Sequence, residues 1–177
     1  MPSFDLPLIL AFRLVIVAAT LLVWRWHNVA RGVAFTGSAI ASVVTGLAAL
    51  ELLRSGSSAG GVLFVHQASG FSLNYAMDPL SSWFLIVLSA LAAPIALFSV
   101  GYVGHGRLRE RSAFVGAAFT LLVGIVELVF TAADAITFLF AWELMTVVNA
   151  GLVATEHEQR ATRRSEYLYL AMSHVVT

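Results

Sequence analysis

The chain has 177 residues, 59% of them hydrophobic and only 11% charged, with a mean hydropathy of +0.88. A soluble domain carries about 25% charged residues, so the composition argues against a water-soluble enzyme and for a chain immersed in lipid. Ten cationic and ten anionic residues cancel and offer no field for nucleic acid, and with no cysteine the chain has no disulfide, thiolate metal site or iron–sulfur ligation.

In chain order, the first apolar block covers 6–24. The start, MPSFDLPLILAFRLVIVAAT, is not read as a signal peptide: its first twelve residues hold no cation, Arg13 falls inside the apolar stretch, and no small-x-small site follows. It reads as a retained first span. A second span is expected at 33–53. The loop after Arg54 opens with SGSSAGG, read as a flexible lead-in. A β-hairpin is expected over about 62–77: VLFVH forms one strand, QASG the turn, and FSLNYAM the other strand. Strict alternation there sends Phe71, Leu73, Tyr75 and Met77 to one face.

Asp78-Pro79 then opens a third span at 80–103, with Asp78 as N-cap and proline in the first turn, where its missing N–H costs nothing. Pro94 inside that span is expected to bend it. Further spans follow at 112–131 and 135–154, the latter capped by Asp134. A sixth is expected to begin at 166 and to be cut off at 177, which makes the chain an expected N-terminal part of something longer. The fold expected is an all-α integral membrane protein with five spans, the start of a sixth, and one hairpin between the second and third. A single polytopic domain would cover 1–177.

Arginine placement orients this topology. Arg25 and Arg31, then Arg107, Arg109 and Arg111, then Arg160, Arg163 and Arg164 follow the odd-numbered spans, against Arg54 alone on the other side. The positive-inside rule places these three groups in the cytoplasm and the N-terminus and hairpin outside. A multi-pass protein of the cytoplasmic membrane is expected. Trp24, Trp26 and Tyr102 lie near span ends, where amphipathic rings favour the interface.

Ionisable groups inside hydrocarbon are the candidates for chemistry, because each costs a few kcal/mol to place there. Glu143 lies nine residues past Asp134, about 13 Å deep at 1.5 Å per residue, near the centre of a layer about 30 Å thick. It reads either as a proton-exchanging group or as a neutral acid in an interhelical hydrogen bond. Glu127, in the outer third of the fourth span, either snorkels to the interface or forms a second protonation site. Arg13 either snorkels or pairs with an acid on a neighbouring helix, such as Glu127. His174, beside Ser173, is a packed residue or a proton relay. Glu51 is expected at the outer interface. His27, His105 and His157 are read as solvated loop residues, and TEHEQRATRRSE as a hydrated connection. No phosphate-binding loop, nucleophile elbow or metal-ligand spacing occurs, so no catalytic centre, metal or cofactor is expected in this chain.

From Val62 onward the chain resembles the antiporter-like membrane subunits shared by respiratory complex I, Mrp antiporters and group 4 membrane hydrogenases. FSLNYAMDPLSSWF resembles their hairpin-to-helix entry, and DAITFLFAWELMTVV the segment bearing the glutamate of the fifth helix. ALFSVGYVGH and LVATEHEQRATRRSEYLYLAMSHVVT, in that order, favour the branch of hydrogenase-4 component B and formate hydrogenlyase subunit 3. The resemblance covers the first third of such a subunit. It implies that Glu143 works with a lysine on a helix beyond Thr177, and that His174 occupies a position this branch often fills with histidine. Asn149-Ala150, where a serine and an aromatic residue are common, and Glu127 depart from the pattern. The resemblance implies proton translocation coupled to electron transfer in partner redox subunits. An Mrp-type cation/proton antiporter subunit and a structural membrane subunit remain the alternatives.

Overall fold

The computed structural model describes residues 6–68, 70–104 and 110–153. Within them lie α1 (Leu6–Leu22), α2 (His27–Ser55), β1 (Ala59–His66), β2 (Phe71–Met77), α3 (Pro79–Tyr102), α4 (Ser112–Thr131) and α5 (Ala135–Val153). Four helices, α2 to α5, are long and apolar enough to cross a membrane. The fifth, α1, is apolar but has 17 residues, or about 25 Å at 1.5 Å per residue. The described residues therefore hold five helices, four of spanning length, where the sequence suggests five spans and part of a sixth. The expected sixth span at 166–177, with His174, lies outside the described residues, as do His105, His157, Arg107, Arg109, Arg160, Arg163 and Arg164.

The last three helices begin and end within one residue of their expected bounds. α2 does not: it starts at His27, six residues before the expected 33. Trp26 occupies the N-cap without a side-chain hydrogen bond, and Arg31 interrupts the apolar pattern, so neither usual helix-start signal marks the boundary. His27 is accordingly not a solvated loop residue. It opens α2 half-buried, its backbone carbonyl accepts from Ser112 Oγ (3.2 Å), and its Nδ1 is shielded with no partner among the described residues. Arg31 likewise belongs to α2 rather than to the preceding loop.

α2 and α4 form the interior of the bundle, with 50% and 56% of their apolar windows buried, against 22% for α3 and α5. α2 packs most extensively on α3 and also touches α1 and α4; α4 touches α1 and α5. Inside lipid, helices associate through close packing of small residues rather than through hydrophobic driving force. The buried face of α2 is built that way, from alanine, serine and threonine with Phe35 as the one large residue. Two glycines mark close approaches of α2 to its neighbours: a Cβ on Gly46 would lie 3.0 Å from Ser89 Cβ, and one on Gly116 would lie 2.5 Å from Ala34 Cβ. α3 continues through Pro94 as one helix.

The hairpin is antiparallel, pairing Ala59 with Met77 through to His66 with Phe71. β1 is longer than expected: Ala59, Gly60 and Gly61 are paired strand residues, not flexible lead-in. Gly61 has a packing reason to lack a side chain, since a Cβ there would meet the Tyr75 ring at 3.2 Å. A register shift between Val62 and Phe64 accommodates Leu63 as the extra residue. The tight return ends at Gly70, in the left-handed region at φ 69°. Leu73, Tyr75 and Met77 of β2 are buried, as their alternation predicts. Tyr75 and Met77 form a core with Leu6 of α1, Ala49 of α2 and Leu85 of α3, against which Leu10, Leu63 and Phe130 pack. The hairpin therefore closes one end of the bundle, where α1 and α3 begin and α2 and α4 finish.

Candidate functional site

α1 turns one stripe inward: Leu6, Ile9, Arg13, Ile16 and Thr20. Their spacing of three and four residues is one helical face, and Arg13 sits at its centre. The Arg13 side chain is only 2% exposed, so it does not snorkel. It crosses to α4 instead. Arg13 Nε donates to Glu127 Oε2 (2.7 Å) and Nη2 donates to Oε1 (2.6 Å). This is the two-point fork that a planar guanidinium makes with a carboxylate.

α2 completes the shell. Nη2 also donates to Ser42 Oγ (3.1 Å) and Nη1 to Ser38 Oγ (3.4 Å). Thr45 Oγ1 lies 2.7 Å from Glu127 Oε1 and 3.0 Å from the Ala41 carbonyl; its single proton favours the shorter, charge-assisted contact. Ser38, Ser42 and Thr45 follow one another at helical spacing, so one face of α2 supplies all three hydroxyls. Gly124, one turn before Glu127, leaves the gap through which the arginine stem passes: a Cβ there would lie 3.0 Å from Arg13 Cδ. Every contact made to the Glu127 oxygens comes from a donor, the set that suits an ionised carboxylate. Arginine keeps its proton in proteins, and an arginine at a span centre costs about 2.5–3.5 kcal/mol on insertion scales. Pairing offsets that cost. The site therefore holds two opposite charges as one neutral unit.

Glu143 lies apart from this pair. It is the ninth of the 19 residues of α5, next to the helix midpoint, and is half-buried. Counting from the α4–α5 turn, it lies about one helical turn deeper than Glu127. Thr146 Oγ1 donates to the Glu143 backbone carbonyl (2.7 Å), a local side-chain-to-backbone bond within the helix. The structure does not bring Glu143 together with Arg13 and Glu127, and His174 lies outside the described residues. Glu51 is exposed near the end of α2.

The two aspartates act as caps. Asp78 Oδ1 accepts from the Ser81 N–H (2.6 Å), with Pro79 in the first turn. Asp134 Oδ1 accepts from the Thr137 N–H (2.8 Å), and its Oδ2 accepts from Asn74 Nδ2 (2.9 Å) and Thr137 Oγ1 (3.1 Å). The Ser81 N–H, with help from its hydroxyl, holds the Asp78 carboxyl below the ordinary value. The Thr137 N–H, then the Asn74 amide, does the same for Asp134. Asn74 contributes more than one bond: its N–H donates to Thr137 Oγ1 (2.9 Å) and its carbonyl accepts from the Ala133 N–H (3.0 Å). Sequence reading takes Asn74 only as the polar side of a strand and overlooks the α2 hydroxyls; their spacing of four and three residues on an alanine-rich helix was the available signal.

Among the described residues no cluster of His, Asp or Glu is arranged to hold a metal. Among the described residues, fold and site together define a bundle of apolar helices, four of them of membrane-spanning length, capped at one end by a hairpin, with an enclosed ion pair and a further mid-helix carboxyl group. No family model matches the chain. It is 33% identical over 97 residues to two uncharacterized proteins of Mycobacterium tuberculosis, MT0090 of strain CDC 1551 and Rv0083 of strain H37Rv. The match covers 55% of this chain but only 15% of each relative's length.

Proposed function

We propose that the chain is the N-terminal portion of a proton-translocating subunit in a membrane-bound oxidoreductase complex, of the antiporter-like kind that its sequence resembles. α1 to α5 would cross the membrane and a sixth span would begin near 166, with the N-terminus and hairpin outside. The hairpin gathers the start of α1 and the end of α2 at one end of the bundle, while Arg25 and Arg31 belong to the opposite ends of those helices, which supports this orientation.

The observation that carries the proposal is Glu143, a carboxyl group beside the midpoint of an apolar helix of membrane-spanning length. Glu127 is committed to Arg13; in this proposal Glu143, by its place at the middle of α5, is the group that takes up and releases a proton. A cation approaching it favours the charged form and a cation withdrawing favours the neutral one; that cation would be the lysine of a later helix. Electron transfer would take place in partner subunits.

The test is Glu143→Gln in the complete protein within its native complex, with proton uptake followed in inverted membrane vesicles. Loss of pumping with electron transfer retained is expected. Normal coupled pumping by the variant would refute the role.

A further inference from the structure

We infer that α1 cannot hold its transmembrane position by itself and is completed by α4, with Glu127 as the group that neutralises Arg13 and lets α1 stay in the bilayer. This rests on the membrane reading of the chain but not on any proton-transfer role for Glu143.

Three observations converge. Among the described residues α1 is the one helix below spanning length, and it carries a cation at mid-length. Arg13 also lies at the centre of the buried stripe, with Leu8, Phe12 and Val15 exposed on the other side, so the guanidinium cannot turn to the membrane surface without exposing the whole stripe. Finally, its compensating charge arrives late. α2 offers Arg13 hydroxyls from Ser38 and Ser42, yet the carboxylate it binds stands 114 residues further along the chain. The acidic residue of α2, Glu51, is exposed near the far end of that helix. Between α1 and α4, then, the chain supplies polar groups but no buried countercharge. Gly124 fits this late docking, because the arginine stem settles against bare backbone when α4 comes in.

The absence of cysteine from the sequence allows a direct test. Ser3→Cys, before α1, and Trp24→Cys, after it, are placed one at a time in the full chain, in cells, and probed with a membrane-impermeant maleimide. In the parent background the two positions are expected to label from opposite sides. With Glu127→Leu added, a large fraction is expected to label both positions from one side. With Arg13→Leu and Glu127→Leu together, opposite-side labelling is expected to return, because the apolar pair needs no countercharge.

Opposite-side labelling in the Glu127→Leu protein would overturn the inference. So would failure of the double variant to recover, which would assign the defect to packing. Same-side labelling in the parent would overturn it too, by showing that α1 does not span; the pumping test on Glu143 is independent of all three results.

Discussion

Asn74 and Asp134 lie 60 residues apart and are joined by a side-chain hydrogen bond of 2.9 Å, which ties the second strand of the hairpin to the first turn of α5. The bond is reinforced on the backbone, where Tyr75 and Ala132 form an isolated bridge and Ala133 donates to Asn74. Replacing Asn74 with alanine removes the amide but leaves the backbone contacts. Amide exchange at Ala133 and Thr137 is expected to rise several-fold, with no change deep in α4. Exchange by mass spectrometry on detergent-solubilised protein reads this, since local opening is set by the contacts that hold each unit.

Both capping aspartates are held below the ordinary carboxylate value of 3.8 by the N–H groups they accept from. A carboxyl group depressed in the folded state adds stability above the unfolded value and loses it as pH falls through the folded one. The stability contributed by these two caps should therefore be constant above about pH 5 and fade as pH falls below the ordinary carboxylate range. Asp134→Asn should flatten that dependence, as followed by exchange at Thr137 against pH.

The Arg13–Glu127 pair should show strong non-additivity. Arg13→Leu alone leaves a buried carboxylate, and breaking a buried pair in this way costs about 3–5 kcal/mol. Glu127→Leu alone should cost as much. Both changes together should fall close to the parent, since exchanging such a pair for apolar residues is often neutral. Thermal unfolding of the four proteins in one detergent gives the cycle.

Gly116 and Gly32 form a matched contrast on different helices. An alanine at 116 would press against Ala34, and separating α2 from α4 is expected to cost about 1–3 kcal/mol, as overpacking does. Nothing lies within 4 Å of a Cβ at Gly32. Gly32→Ala should be neutral or stabilise by up to about 1 kcal/mol through helix propensity. Melting temperatures measured side by side distinguish the two.

The helices most visible in the sequence were those whose apolar runs are bounded by strong punctuation. Asp78-Pro79 and Asp134 set the starts of α3 and α5 to within one residue, because capping is a local interaction within three positions. The start of α2 was hidden because nothing local caps it: its first turns carry His27 and Arg31 and are held by contact with Ser112 of α4. Likewise, Gly60 and Gly61 read as linker because strand pairing to Tyr75 and Ala76 is not written in their own side chains. For the site, composition could identify Arg13 and Glu127 as expensive charges but could not choose between snorkelling and pairing. That choice depends on α2 packing against both α1 and α4 with its small hydroxyl residues turned to the pair, a relationship of three helices rather than of any one segment.

The length of α2 has a consequence for where the protein meets the lipid headgroups. Its 29 residues measure about 44 Å, well beyond a hydrocarbon layer of about 30 Å. Even allowing for tilt, a surplus of several residues must stand in the headgroup zones. That zone would take His27 and Arg31 at one end and Glu51 and Arg54 at the other, and α2 would then act as a two-ended float whose polar tips set how deep the bundle rides in a bilayer. Lipids with shorter or longer acyl chains would then be felt first at these four residues.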